Sequence, residues 1–106
     1  MEPRVTATPH CVSVSLSDGG RPAGVAEASD MYDGSWFVNR VLVPHKYRGQ
    51  GRGKLLVTRL LAEVAKQGCT KLVLTPGGYD LSYEEQEAFY LKCGFRLIET
   101  GLMEYP

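Results

Sequence analysis

The chain has 106 residues, of which 43% are hydrophobic and 23% charged, as in an ordinary globular protein. A chain of this length supports one hydrophobic core, so we predict a single domain over residues 1–106. Twelve basic residues balance twelve acidic ones, so overall charge gives no reason to expect binding to nucleic acid or to a membrane surface.

The spacing of the cysteines bears on metal binding and disulfides, and the apolar runs bear on cellular location. Cys11, Cys69 and Cys93 are scattered and never form a CxxC pair, so we expect neither a zinc site nor a disulfide framework. The chain does not start with a signal-peptide-like apolar run, and no apolar stretch has membrane-spanning length. We therefore expect a reduced, cytoplasmic protein without a metal.

The first half of the chain reads as strands. Residues 1–9 are predicted to be a loose lead-in. The stretch "CVSVSLS" (11–17) alternates apolar residues with serines, which indicates a half-buried strand. The tight turn "DGGRP" (18–22) joins it to a second strand, "AGVAEAS" (23–29). The next strand, "WFVNRVLV" (36–43), is apolar on both faces and therefore central.

The second half alternates helices and strands. Pro44 ends the central strand, and apolar residues repeat at helical spacing from about Arg52 to Gln67, before Gly68. The short apolar strand "KLVLT" (71–75) follows, which implies a right-handed crossover and a parallel strand pair.

A second helix and the last strands complete the order. Ser82 is a suitable N-cap, with Glu85 at the capping-box position, for a helix to about Lys92. The stretches "FRLIET" (95–100) and "LMEYP" (102–106) give one or two final strands. The order β, β, β, α, β, α, β predicts the α+β class, a mixed sheet with helices against it.

The stretch "RGQGRGK" (48–54) predicts an anion site. A helix start presents backbone N–H groups without an internal partner, and glycines let an anion approach them closely. Four basic residues fall within nine positions without an acid among them: Lys46, Arg48, Arg52 and Lys54. The alternative is a cationic turn in solvent.

Two common phosphate motifs do not fit this stretch. A P-loop would need glycine at Arg48 and a hydroxyl residue at Leu55. The dinucleotide fingerprint G-x-G-x-x-G fails at Lys54 in one register and at Leu56 in the other. The chain is therefore neither a P-loop NTPase nor a dinucleotide-binding Rossmann protein.

Two other segments carry a family resemblance. The pattern R-x-x-G-x-G occurs in Arg48, Gly51 and Gly53, and "AFYLKCGF" (88–95) follows one helix and one strand later. In this order they resemble the GNAT superfamily of N-acetyltransferases, over roughly residues 35–100. The resemblance implies a mostly antiparallel GNAT-like sheet with a central parallel, splayed strand pair, flanking helices and acetyl-CoA as co-substrate.

The resemblance also implies roles for individual residues. The pyrophosphate of acetyl-CoA would lie on the amides of residues 48–54, and the pantetheine arm would pair with the backbone of Val41 and Val43. Tyr90 would protonate the departing thiolate; the alternative is a core tyrosine. The predicted cofactor-binding residues are Val41, Leu42, Val43, Arg48, Gly49, Gln50, Gly51, Arg52, Gly53 and Lys54.

The sequence defines less well the general base that would deprotonate the amine and the residues that would contact the acceptor. Many members of the family carry a glutamate on the strand that reads "WFVNRVLV", and this chain has no acid there. Strand alternation predicts that four side chains share one face: Phe37, Asn39, Val41 and Val43. Asn39 is the polar one among them, so it is a candidate acceptor contact, as is Glu27. Four remote side chains stay open as bases: Glu27, Asp30, Asp33 and His45.

The chain also departs from the family pattern. The family inserts two helices between its first two strands, and here only "DGGRP" joins the first two strands recognised. This predicts a short member of the family with an open acceptor site. A second subunit could complete that site in a homodimer, if Met31, Tyr32 and Trp36 form an exposed apolar surface. Tyr83 stands where members often carry a CoA-contacting asparagine, and "TPGGYDLSY" (75–83) is either a lid or a plain connection.

These features give one favoured function and two alternatives. We predict an N-acetyltransferase that acts by direct attack of a primary amine, on a small molecule, peptide or protein. The first alternative is a non-catalytic acetyl-CoA-binding sensor or interaction module. A nucleic-acid binder is disfavoured, because the chain is neutral and aromatics are not interleaved with its cations.

Overall fold

The computed structural model describes residues 2–77 and 81–106, which form one seven-stranded sheet with helices against it. The strands are β1 (Arg4–Thr8), β2 (Cys11–Asp18), β3 (Arg21–Asp30), β4 (Ser35–Leu42), β5 (Lys71–Leu74), β6 (Arg96–Glu99) and β7 (Leu102–Tyr105). The helices are α1 (Arg52–Lys66) and α2 (Tyr83–Lys92), and a 3-10 turn spans His45–Tyr47. The strand order is β1-β2-β3-β4-β5-β7-β6.

This order confirms the α+β class and the mostly antiparallel sheet with one central parallel pair. The first four strands pair antiparallel, β4 pairs parallel with β5, and β7 is antiparallel to both β5 and β6. Residues 2–44 contain no helix, as the short connections predicted. None of the helices in the described residues is long and apolar enough to span a membrane.

Strand β1 corrects the prediction that residues 1–9 are a loose lead-in. Residues 4–8 pair antiparallel with β2, with Val5 opposite Val14, through the two-residue connection Pro9–His10. Val5 alone is half-buried in this strand, and the other four side chains are exposed. Because the strand forms by backbone pairing with little burial, it leaves almost no apolar alternation in the sequence.

The parallel pair is short, and its two strands separate. β4 and β5 pair only from Ser35 opposite Lys71 to Phe37 opposite Val73. β4 continues to Leu42, so its last five residues have β3 on one side and no β5 partner on the other. The predicted splay is confirmed, and it exposes backbone along one edge of β4.

A β-bulge in β4 changes which side chains share a face. Ala28 is opposite Val38 and Glu27 is opposite Arg40, so Asn39 is the extra residue. Directly opposed residues share a face, and Val41 is opposite Ala26, two positions from Ala28 in β3. The expectation that Phe37, Asn39, Val41 and Val43 share one face is therefore wrong.

After the bulge, the valines face the helices. Val41 lies on the face of Val38, and the Val43 Cγ2 atom lies only 3.8 Å from the Cβ position of Gly53 in α1. The single extra residue inverts the alternation for the remainder of the strand.

The core lies between α1 and this face of the sheet. Val12, Val14 and Leu16 of β2 are buried, and the apolar stripe of α1 covers them; its buried members are Leu56, Val57, Leu60 and Val64. Trp36 is also buried, with 2% of its surface exposed, because it lies between β3 and β5 opposite Asp30 and Leu72. The expectation that Trp36 joins Met31 and Tyr32 on an exposed surface is wrong, although Met31 and Tyr32 themselves are exposed.

The predicted capping box of α2 is confirmed. Glu85 N donates to Ser82 Oγ at 3.1 Å, and Ser82 N donates to Glu85 Oε1 at 3.4 Å. Tyr83 follows the cap, and its hydroxyl oxygen accepts from Gly101 N at 2.8 Å. The start of α2 is thereby joined to the turn between β6 and β7.

Glu104 of β7 makes stability depend on pH. The residue is 6% exposed, and its carboxylate lies 3.2 Å from Lys71 Nζ and 2.6 Å from Arg96 Nη2. Burial alone raises the pKa of Glu104, but the hydrogen bonds and charges of Lys71 and Arg96 outweigh it and hold the pKa below the ordinary 4.5. A lowered pKa in the folded state stabilises the fold above pH 4.5, and this stabilisation is lost as pH falls towards the folded-state pKa.

Glu104→Gln is therefore expected to flatten the loss of unfolding free energy between pH 5 and pH 3, measured by urea denaturation at each pH. Glu99→Gln, on an exposed carboxyl of β6, is the control and should keep the wild-type slope. Equal slopes for Glu104→Gln and the wild type would contradict the assignment.

Candidate functional site

A cavity of about 330 Å³ lies where β4 ends, between the following loop and α2. Eight of the ten predicted cofactor-binding residues line it: Val41, Leu42, Val43, Arg48, Gly49, Gly51, Arg52 and Gly53. Gln50 and Lys54 do not. Tyr90 lines the same cavity from α2. The two sequence segments that carried the family resemblance therefore meet at one place, and the roles of their residues stay predictions.

The loop of residues 48–53, here called the glycine loop, is open at two glycines. Gly49 and Gly51 have φ of 75° and 77°, a conformation that side-chain-bearing residues rarely adopt, and no atom lies within 4 Å of a Cβ built at either. Gly51 is the N-cap of α1, which has no side-chain cap and no acidic residue in its first turn. α1 therefore begins without an acidic group or a side-chain cap, next to two glycines with open space at their Cβ positions, and its first N–H groups add positive potential there.

Gly53 lies close to α2. A Cβ at this position would lie 3.1 Å from Phe89 Cζ, which is closer than nine in ten real Cβ contacts, so the Phe89 ring would have to shift by a few tenths of an ångström. The absence of a side chain lets the first turn of α1 approach α2, so Gly53 serves packing between the two signature segments.

The two arginines of the glycine loop are held by backbone carbonyls. Arg48 Nε donates to Val43 O at 2.8 Å, and Arg52 Nη1 donates to Tyr47 O at 3.2 Å. The Arg52 side chain also donates to the Gln50 side chain. These bonds fix the positions of the two guanidinium groups at the cavity wall.

Tyr90 is mostly buried, with 6% of its surface exposed. Its ring packs edge-to-face against Phe89, at 5.1 Å between centroids, and against Phe95, at 5.6 Å. Aromatic packing on both sides gives the phenol a defined orientation beside the cavity. This placement agrees with the predicted contact to the reacting group but does not test it.

The predicted acceptor contacts lie outside the cavity lining. The Asn39 amide donates to Ser29 Oγ, and Glu27 forms an ion pair with Arg40. Both partnerships lie on the sheet face opposite the helices, because the bulge directs Asn39 and Arg40 there. The structure does not bring Asn39 or Glu27 to the glycine loop.

The other candidate bases also lie outside the cavity lining. Asp30 and Asp33 lie at the turn between β3 and β4, at the opposite end of β4 from the cavity. The Ser35 side chain and backbone donate to Asp33 and hold the pKa of its carboxyl below the usual range. His45 belongs to the 3-10 turn and does not line the cavity. Among the described residues that do, none is Asp, Glu or His.

Sequence reasoning missed four cavity residues, Tyr47, Leu81, Gln86 and Phe89. Gln86 Oε1 accepts from Gly77 N at 3.0 Å, and its Nε2 donates to Leu81 O at 3.3 Å, so it braces the chain on both sides of residues 78–80. Gln86 precedes Tyr90 by four positions, which places both on one face of α2 and would have identified it. Residues 78–80 of the predicted lid, "TPGGYDLSY", lie outside the described residues.

The splayed pair, the glycine-rich helix start and the aromatic end of α2 lie together as expected for the acyltransferase class that the sequence suggested. A model of the acetyltransferase (GNAT) family matches residues 2–95. The chain belongs to this family.

Solved structures share the fold at low identity. An aminoglycoside 6'-N-acetyltransferase complexed with coenzyme A has a TM-score of 0.78 and 19% identity over 92% of this chain and 73% of that one. The PaiA N-acetyltransferase of Thermoplasma acidophilum, in complex with coenzyme A, has a TM-score of 0.76 and 18% identity over 90% and 60%. The anti-CRISPR protein AcrVA5 has a TM-score of 0.72 and 21% identity over 92% and 99%. Likeness at these identities shows the fold alone.

Proposed function

We propose that this protein transfers the acetyl group of acetyl-CoA to a primary amine. The observation that carries the proposal is that one cavity joins the open glycine loop, the unpaired edge of β4 and Tyr90. Family membership supports acetyl transfer, and two of the similar structures are coenzyme A complexes.

The binding residues of the proposal divide by chemistry. The glycine loop offers helix-start N–H groups and two arginines to a pyrophosphate, and the space where a Cβ is missing at Gly49 and Gly51 lets oxygen atoms approach. The edge of β4 offers backbone groups to an amide-containing chain, as if to an added strand. The Val43 carbonyl already accepts from Arg48, so one of its two lone pairs is used.

The proposed chemistry needs a neutral amine and a proton for the leaving sulfur. The amine attacks the thioester carbonyl carbon, and the C–S bond breaks as the C–N bond is completed. Tyr90 donates its phenolic proton to the departing sulfur and is restored by the proton that the amine loses. A thiolate is already a good leaving group, so the contribution of Tyr90 is moderate.

The acceptor side of the proposal is open to large as well as small amines. Residues 2–44 carry no helices that would wall it. We extend the proposal to a cytoplasmic location, which the free Cys11, Cys69 and Cys93 support.

A non-catalytic acetyl-CoA sensor is the second candidate function. It is favoured by one observation, the absence of Asp, Glu and His among the described residues that line the cavity. A sensor would bind acetyl-CoA without consuming it, so the two candidates differ only in turnover.

Calorimetric titration with acetyl-CoA, desulfo-CoA and ATP tests the proposal. We expect both coenzyme A species to bind with micromolar Kd, about −8 kcal/mol, and ATP to bind much more weakly. Free thiol released with a panel of small amines and lysine peptides then separates enzyme from sensor. If neither coenzyme A species binds, the glycine loop is only a cationic turn and the proposal fails.

A further inference from the structure

Asp18 reaches the glycine loop indirectly, from the end of β2. Its Oδ2 atom accepts a hydrogen bond from the Tyr47 hydroxyl at 3.1 Å, across 29 positions of sequence. Asp18 is exposed and does not line the cavity, whereas Tyr47 is 7% exposed and does. This bond joins the β2–β3 hairpin to the segment that precedes Arg48.

Tyr47 in turn holds a cation of the cavity wall. Its carbonyl accepts from Arg52 Nη1 at 3.2 Å, and the Arg52 Cζ atom lies 5.2 Å from the centroid of its ring. The Lys46 Nζ atom lies 5.5 Å from the same centroid. Tyr47 therefore helps to hold Arg52 through both its carbonyl and its ring, and Asp18 anchors the hydroxyl end of that ring.

We infer that Asp18 is a positioning residue for the anion site, acting through Tyr47 on Arg52; this inference rests on the proposed function. A hydrogen bond to a carboxylate is stronger than one between neutral groups, so the phenol is held in one orientation before the anion arrives. A preorganised site loses less side-chain freedom on binding. Without Asp18, part of the binding free energy is spent on ordering the Tyr47 ring and the Arg52 guanidinium.

Whether removal of Asp18 weakens or strengthens anion binding distinguishes a positioning role from a simple effect of its charge. Asp18 is an anion bonded to the same Tyr47 side chain that Arg52 and Lys46 contact, so by charge alone its removal would strengthen binding of a second anion. Positioning predicts the opposite: Asp18→Ala should weaken binding although it makes the site more positive. Asp18→Asn removes the charge but keeps an acceptor oxygen for the Tyr47 hydroxyl, so it should bind acetyl-CoA more tightly than Asp18→Ala.

The test measures Kd for acetyl-CoA by calorimetry, and KM and kcat with any amine that turns over. Asp18→Ala and Tyr47→Phe are each expected to raise Kd and KM roughly three- to tenfold with kcat little changed, since each removes the same bond. Their double variant should be no weaker than either single one, as for two ends of one interaction.

Asp33→Ala is the matched control, because it removes the same charge from a hydrogen-bonded carboxylate at the far end of β4, and it should leave Kd unchanged. Thermal unfolding of each variant checks folding; if Asp18→Ala does not fold, Tyr47→Phe and Asp18→Asn carry the comparison. Wild-type affinity in Asp18→Ala or Tyr47→Phe, or tighter binding in Asp18→Ala, would overturn the inference while leaving the proposed function standing. Failure of the wild type to bind coenzyme A would instead remove the proposed function, and the inference with it.

Discussion

Replacing Gly51 with glutamate is expected to abolish acetyl-CoA binding while the fold is retained. No atom lies within 4 Å of a Cβ at this position, so the new side chain begins without a clash. Its carboxylate would occupy the region in front of the α1 N-terminus that we assign to the pyrophosphate. Repulsion between unit charges about 4 Å apart costs roughly 4 kcal/mol at an effective dielectric constant of about 20, or about a thousandfold in Kd.

Gly51→Gln separates charge from backbone strain. Both replacements force a side-chain-bearing residue to φ of 77°, which costs about 1–2 kcal/mol in either variant. Calorimetry should show a far smaller loss of affinity for Gly51→Gln than for Gly51→Glu, and circular dichroism should show equal helix content. If Gly51→Gln and Gly51→Glu bind acetyl-CoA with similar affinity, the pyrophosphate lies elsewhere. Gly53→Glu should also abolish binding, but its Cβ would press on Phe89 and mix the two causes.

Tyr90→Phe is expected to lower kcat about ten- to a hundredfold with little change in the Kd for acetyl-CoA. The range is at the lower end for a general acid because the leaving thiolate needs only modest help. The edge contacts of the ring with Phe89 and Phe95 remain, so the fold is expected to remain as well. Steady-state rates of thiol release, with the Kd measured separately, check this expectation.

Tyr105→Phe provides the matched control for Tyr90→Phe. Tyr105 packs against the same Phe95, at 5.6 Å between ring centroids, and does not line the cavity. Loss of its hydroxyl should leave kcat unchanged. Wild-type turnover in Tyr90→Phe would remove Tyr90 from the mechanism and assign it to the aromatic core.

Elements with a local signal were predictable from the sequence. The alternation in β2, the apolar stripe of α1 and the capping box at Ser82 each depend on residues within one turn or strand, and the structure bears out all three. The glycine loop was likewise recognisable, because its backbone geometry requires glycine at Gly49 and Gly51.

Features that depend on distant pairing were not predictable. The bulge at Asn39 is set by the register with β3, and a strand with apolar residues on both faces carries no mark of where its alternation inverts. The bond from Asp18 to Tyr47 joins residues 29 positions apart. The cofactor-binding role of Gly53 stays a prediction, and its close approach to Phe89 was not predicted, because that phenyl ring belongs to α2.

The two-residue connection Pro9–His10 explains how an edge strand as polar as β1 can exist. Closing a chain segment costs conformational entropy that grows with its length, and here the segment between the paired residues Thr8 and Cys11 is nearly as short as a hairpin permits. Because β1 meets its partner at so little entropic cost, it needs little apolar burial to stay paired. The same five residues, tethered through a long insertion, would have to bury far more surface to remain in the sheet.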